Sequence, residues 1–272
     1  MFFAFYSRLV NLSPSFKKSS KRFLYQFMAQ YYQGKDWKFM NYGFSNTDHE
    51  FQPPELDSAD ESNRCSIQLY HHLAEAVILN GQRVLEIGCG RGGGVDYIKR
   101  YLSVKTMVGL DYSESAVALC RKTYSVEGLS FVTGDAETLP FCNQSFDVIL
   151  NVESSHCYSN MEKFLSEVRR VLRPGGYFLF ADFRDKEHLS LLQEQLQRSG
   201  MIQLRQTNIT PNVIAALEAD HNQKLGLIQR EAPRLLSKLF HEFAGLVGTR
   251  VYKRLKTGKT AYLSLVFQKP SA

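Results

Sequence analysis

The five cysteines of this 272-residue chain, at positions 65, 89, 120, 142 and 157, are an odd set without a C-x-x-C pair. Neither a disulfide framework nor a zinc site is therefore expected, and reduced thiols in the cytoplasm are the plain reading. No apolar run approaches the roughly 18 residues that a membrane span requires. Met1 to Val10 lacks the charged stretch, apolar core and small-residue cleavage site of a secretory leader. There is no internal repeat, and no nucleic-acid-binding motif accompanies the basic charge, so nucleic acid is not an expected partner. What is left is a globular chain, 44% hydrophobic, long enough for one large α/β domain with embellishments.

The net charge of +6 is unevenly placed. Residues 1 to 40 carry seven basic side chains against Asp36 alone, residues 198 to 272 carry twelve basic against four acidic, and the middle is acidic. The first of these stretches interleaves Phe2, Phe3, Phe5, Tyr6, Phe23, Tyr25 and Phe27 with Lys17, Lys18, Lys21 and Arg22. Such a segment suits an anionic lipid surface, or packing over the body of an enzyme. Trp37 to Phe44 is aromatic and turn-rich, fit for a lid over a site or for ordinary core packing.

The organising stretch runs from Val84 to Gly94. A short apolar run (83 to 87) passes through glycines at 88, 90, 92, 93 and 94 into the helical pattern of Val95 to Tyr101, which reads as strand, tight turn and helix. Glycine at 88 and 90 permits the turn and removes Cβ atoms from the path of a ligand, while the helix start offers free N–H groups. Gly88, Gly90 and Gly93 also satisfy G-x-G-x-x-G, which fits a dinucleotide equally well. Glu86 discriminates: its carboxylate would repel a pyrophosphate and suits a cationic ligand such as an amino acid's amino group. A second strand, Thr106 to Asp111, ends in an acid that can accept both ribose hydroxyls of a nucleoside, whichever it is, and can also cap the helix after Ser113.

This pattern resembles the first motif of the class I S-adenosylmethionine (SAM) dependent methyltransferases. The run Val171-Leu172-Arg173-Pro174-Gly175-Gly176 ahead of a strand resembles their second signature, and the likeness covers roughly residues 65 to 184. It implies a Rossmann-like α/β fold with a mostly parallel seven-stranded sheet and helices on both faces. By the same resemblance Glu86, Gly88, Cys89, Gly90, Asp111, Tyr112, Asp135, Ala136 and Asn151 bind SAM, Asp135 taking the adenine amino group and Ala136 offering its backbone N–H to the ring. Read on its own, Gly134-Asp135 is also a plain turn. The product is S-adenosylhomocysteine, and no metal is expected.

Further strands are expected at 129 to 132, 146 to 151, 177 to 181, 202 to 208 and 261 to 267, and helices over 62 to 79, 186 to 198 and, broken near Pro233, 211 to 247. Ser159 with Glu162 reads as a capping box for the helix at 161 to 172. Residues 1 to 60 are taken as a helical lid or membrane-facing segment, and 61 to 272 as the methyltransferase domain with a cap insertion near 211 to 250.

An aliphatic hydroxyl needs a general base to become a nucleophile near neutral pH, and a histidine oriented by a carboxylate serves. Glu153-Ser154-Ser155-His156 with Ala181-Asp182-Phe183 resembles O-methyltransferases of sugars and polyketide hydroxyls, which implies His156 as base and Asp182 as its partner. A loop histidine that caps a helix or packs on substrate is the competing role. Asn151 to Tyr158, with Phe39 to Gly43, looks most like the enzymes that methylate a hydroxyl of phthiotriol lipids, implying a hydrophobic polyketide or lipid alcohol as acceptor and a peripheral membrane contact. Methylation at carbon or nitrogen, and a SAM-binding protein without turnover, are the alternatives; a nicotinamide dehydrogenase is disfavoured by Glu86.

Overall fold

The computed structural model describes residues 37–46, 53–233 and 236–271. Seven strands, β1 (Arg83–Ile87), β2 (Thr106–Asp111), β3 (Leu129–Thr133), β4 (Phe146–Val152), β5 (Leu172–Asp185), β6 (Ile202–Asn208) and β7 (Thr260–Gln268), form one sheet in the order β3-β2-β1-β4-β5-β7-β6. β1 to β5 are parallel to one another, and β7 runs antiparallel to both β5 and β6. The strand order reverses beside β1, which is where an open α/β sheet leaves a crevice at its carboxyl edge.

Both faces are covered, because strand side chains alternate. Val84 faces one apolar layer together with Leu69 and Leu73 of α1 (Arg64–Ala74) and Val95 and Ile98 of α2 (Gly93–Tyr101). α3 (Glu114–Thr123) adds Val117 and Cys120 to the same layer. Leu85 and Ile87 face the other, with Phe164, Leu165 and Val168 of α4 (Met161–Val171) and Leu192 and Leu196 of α5 (Leu189–Arg198). Glu86 has the parity of Val84, so its carboxylate is delivered to the α1 side.

Between β6 and β7, among the described residues, lie the α-helices α6 (Thr210–Ala219), α7 (His221–Glu231), α8 (Ser237–Phe243) and α9 (Arg250–Lys256), so the helical stretch expected at 211 to 247 begins one residue earlier and is followed by a further helix.

Several local expectations are corrected. α1 ends at Ala74 rather than Leu79; Ile78, taken as its last apolar position, is 81% exposed. The cap of α4 is Asn160, whose side chain accepts from the Lys163 N–H at 2.9 Å, while Ser159 turns away to donate to Glu137. β5 is far longer than 177 to 181: Arg173 to Gly176 form an irregular excursion within it, and its end pairs with β7 as far as Asp185. The segment 1–60, expected to be helical, has no helix in its described parts, 37–46 and 53–60, which are irregular chain and turn. Its basic neighbour, residues 1–36, lies outside the described residues.

Candidate active site

At the carboxyl ends of β1 to β4, closed over by residues 38–42, lies a cavity of about 300 Å³. Gly88, Cys89, Gly90, Asp111, Tyr112, Asp135, Ala136 and His156 all line it. The turn after β1 holds Gly88, Gly90 and Gly92 at φ of 80°, 53° and 80°, a region costly for residues with a Cβ. The reasons differ within the run. A Cβ on Gly88 would stand 1.9 Å from Ser154 Oγ, and one on Gly94 2.0 Å from the Tyr70 ring, so those glycines are required by the protein's own packing. At Gly90 a Cβ would meet only Met40 Sδ at 3.3 Å, and there the space belongs to the cavity.

Asp111 holds this turn from the next strand. Its Oδ2 accepts the Gly90 N–H and its Oδ1 the Ser113 N–H, each at 2.8 Å. Ser113 caps α3, accepting from the Ala116 N–H at 3.2 Å, so the cap and the cavity-facing acid are consecutive parts of one turn.

Glu86 is fully buried, with Oε1 accepting from Tyr70 Oη at 2.6 Å and Oε2 without a partner among the described residues. Burial pushes its pKa up to about 8, against the Tyr70 hydrogen bond and with the charge of Asp111. An orphaned buried carboxylate oxygen costs about 1–3 kcal/mol or more, and a bound ammonium group would satisfy it. Glu86 does not itself line the cavity, but its partner Tyr70 does; with Asp111 beside the glycine turn and Asp135-Ala136 on the cavity wall, the set is compatible with SAM.

Asn151, like Glu86, is fully buried, does not itself line the cavity and keeps one side-chain oxygen, Oδ1, without a partner among the described residues. Its Nδ2 donates to Ile87 O at 2.8 Å and to Oη of Tyr158, a cavity residue, at 2.9 Å, tying β4 to β1.

His156 and Asp182 do meet. His156 Nδ1 lies 2.8 Å from Asp182 Oδ1, which also accepts the Phe183 N–H at 2.8 Å. Oδ2 accepts from Ser155 Oγ at 2.5 Å and from the His156 N–H at 2.9 Å, and pairs with Arg184 at 3.0 Å. Burial would raise the Asp182 pKa, yet Arg184, His156 and Ser155 hold it well below the usual carboxylate range. For the imidazole, burial pulls downward and is outweighed by Cys157 and Asp182, which bring its pKa up to about 9. The ring also packs on Phe183, with centroids 4.4 Å apart.

Four contributors were not assigned as site residues from the sequence. Tyr70 orients Glu86 from a helix whose apolar pattern hides it. Arg184, two residues beyond Asp182 on an extended strand and hence on its face, was findable by that spacing. Tyr42 and Glu153 line the cavity beside His156, and Glu153 is held at φ 46°, a backbone that costs roughly 1–2 kcal/mol in a residue with a side chain.

A crevice at the strand-order reversal, a glycine turn under a buried acid and a second acid beside it define the methyltransferase class of this fold. A family described as "Methyltransferase domain" matches residues 85–180. The phthiotriol/phenolphthiotriol dimycocerosates methyltransferase of Mycobacterium tuberculosis is 38% identical over 260 residues, 94% of each chain. The fatty-acid O-methyltransferase of Mycolicibacterium smegmatis is 37% identical over 257 residues, 93% of this chain and 91% of its own. Among solved structures, the geranyl diphosphate C-methyltransferase of Streptomyces coelicolor A3(2), bound to S-adenosyl-L-homocysteine, superposes with a TM-score of 0.62 at 15% identity, covering 90% and 98% of the chains; it supports the fold alone. The chain is a SAM-dependent methyltransferase, and it belongs to the class I family that includes the mycobacterial lipid enzymes. Among the described residues no helix is long and apolar enough to cross a membrane.

Proposed function

We propose that the enzyme methylates a hydroxyl oxygen of a hydrophobic, lipid-like molecule, with His156 as general base. The observation that carries this is the His156–Asp182 pair at 2.8 Å on the wall of the same cavity as the glycine turn. The names of two relatives, which concern a phthiotriol lipid and a fatty acid, support a lipid-like acceptor.

When bound, SAM supplies a methyl group on a sulfonium, already electrophilic, so the protein has to align the acceptor and remove its proton. Gly88, Cys89, Gly90, Asp111, Tyr112, Asp135 and Ala136 would hold the cofactor, with the Glu86 carboxylate, carried by Tyr70, as the acid for its amino group. Asp182, fixed by four donors besides the ring, pins Nδ1, so that Nε2 is the proton-taking atom of an imidazole that Cys157 also hydrogen-bonds. Phe183 and Tyr42, stacked with centroids 5.4 Å apart, exclude water beside the base. With a pKa of about 9 the imidazole of the cofactor-free protein holds its proton at neutral pH; kcat/KM therefore rises with pH and levels above that value.

Residues 1–36, basic and aromatic, support contact with an anionic lipid surface from which such an acceptor would be drawn. Unchanged sedimentation with anionic vesicles after their removal would defeat that part. For the reaction, an extract of a producing cell is incubated with isotopically labelled SAM and read by mass spectrometry. A labelled methoxy group in a hydrophobic product, lost in His156→Ala, is expected; label on nitrogen or carbon would overturn it.

A further inference from the structure

Glu153 sits at the end of β4 with its peptide N–H bonded to Ala181 O at 2.8 Å, and its carboxylate reaches the cavity beside His156. Oε1 is fully engaged: it accepts the Tyr42 N–H at 2.7 Å and Tyr262 Oη at 2.9 Å. Oε2 receives no donor from the described residues. A left-handed backbone at this one residue, φ 46°, holds the group in place. A charged residue in strained backbone with one oxygen clamped and the other offered to a cavity is arranged as an acceptor for something that enters.

Charge balance says what enters. Asp182, on β5, is matched by Arg184 at 3.0 Å and by the His156 imidazole. Glu153 has no ion pair among the described residues. Lys224 of α7, whose field reaches it, gives its amino group to Tyr42 O at 3.2 Å and to Asp220 at 3.8 Å. The remaining groups that face it are the phenols of Tyr42, Tyr262 on β7 and Tyr70 on α1, which donate but carry no charge. At neutral pH the imidazolium of His156, with its pKa of about 9, matches the Glu153 charge; above that value, with His156 in its basic form, the acceptor end of the cavity carries one unmatched negative charge in a part-buried place.

We infer that Glu153 selects the acceptor by charge, its free Oε2 taking a hydrogen bond from a neutral hydroxyl and its negative charge turning away a carboxylate. This rests on the hydroxyl reading above and adds the residue that separates alcohols from fatty acids. A hydroxyl can donate to Oε2; a carboxylate cannot, and two anions sharing a buried site repel. Burial raises the Glu153 pKa to about 7, with the Tyr42 and Tyr262 hydrogen bonds opposing it, Asp182 reinforcing it and His156 opposing it. The barrier to an anion accordingly builds in two steps, as the Glu153 carboxyl loses its proton near about 7 and as the imidazole that offsets it loses its own near about 9.

The test uses the full chain saturated with S-adenosylhomocysteine, and titrates it with palmitate and with hexadecanol below about pH 7 and above about pH 9. Wild type is expected to bind hexadecanol at both pH values and palmitate at least about tenfold more weakly on the alkaline side. Glu153→Gln keeps the size and the Oε1 acceptor, and is expected to restore alkaline palmitate binding by about tenfold and leave only the pH dependence that His156 sets, with S-adenosylhomocysteine affinity changed by less than about twofold. Should that variant not fold, Tyr262→Phe retains the carboxylate, removes one donor, and moves the loss of palmitate binding to higher pH. Equal palmitate binding by wild type and Glu153→Gln, or a Tyr262→Phe midpoint that does not move, overturns the inference. Binding of neither ligand by any variant, with S-adenosylhomocysteine still bound, overturns the hydrophobic-acceptor reading and this one with it.

Discussion

Around Gly88 and Asp111 the cavity wall is made largely of backbone from one strand-turn-helix unit and the two strand ends beside it, so its shape is set by contiguous residues. Around His156 the wall is made of side chains from 37–46, β4, β5 and β7, brought together only by the sheet. On the proposed reading the first region would bind SAM through N–H groups and acids. The second is a network in which each group's charge depends on several others: Asp182 on Arg184 and Ser155, His156 on Asp182, Glu153 on Tyr42 and Tyr262. Changes in the first region should therefore be read as affinity or stability, and changes in the second as rate and pH dependence.

The sharpest separation comes from His156→Ala, expected to lower kcat by about 10²- to 10⁴-fold with S-adenosylhomocysteine affinity, measured by calorimetry, within about twofold. A comparable loss of cofactor binding would erase the distinction between the two regions. Gly88→Ala should act in the opposite way. Its Cβ would stand 1.9 Å from Ser154 Oγ at a φ of 80°, and a thermal melt should show roughly 2 kcal/mol or more of destabilisation together with weakened SAM binding.

Asp182→Asn should shift the pH profile as well as reduce the rate. Asp182 raises the imidazole pKa, which stands at about 9; without that charge it falls toward the ordinary value of about 6.5. The alkaline rise of kcat/KM then moves to lower pH, and an unmoved limb would assign it to another group. The smallest effect is expected from Tyr70→Phe, which leaves Glu86 with no donor and raises its pKa beyond about 8. SAM should then bind about three- to tenfold more weakly, in line with one lost hydrogen bond to a charged group, with no change in the pH profile of the chemical step.

The same contrast explains what was legible in the sequence. The limits of β1 and β2, the glycine turn, Asp111 and the Ser113 cap could be read because each is local: apolar run, glycine, acid and cap follow one another along the chain. The His156–Asp182 pairing was reached through resemblance and neighbouring strands, and the 2.8 Å separation agrees with it. Tyr70 and Glu153 were not assigned to the site because their partners lie 16 and 109 to 111 residues away, and no spacing announces such contacts. The end of α1 was overrun because Val77 and Ile78 continue the apolar pattern after the helix has stopped.

The strap at 37–44 is fastened to both walls it covers. Gly93 donates its N–H to Lys38 O at 3.2 Å and Arg91 its Nε–H to Trp37 O, while Tyr42 donates to Glu153 at 2.7 Å. The first two fasten it to the glycine turn and the third to the end of β4; the neutral Gly93 bond is worth about 1 kcal/mol and each of the two bonds to a charged group about 1.5–3 kcal/mol. One piece of chain thus ties the glycine turn at one end to Glu153 at the other, so a change that loosens either fastening should be felt at both.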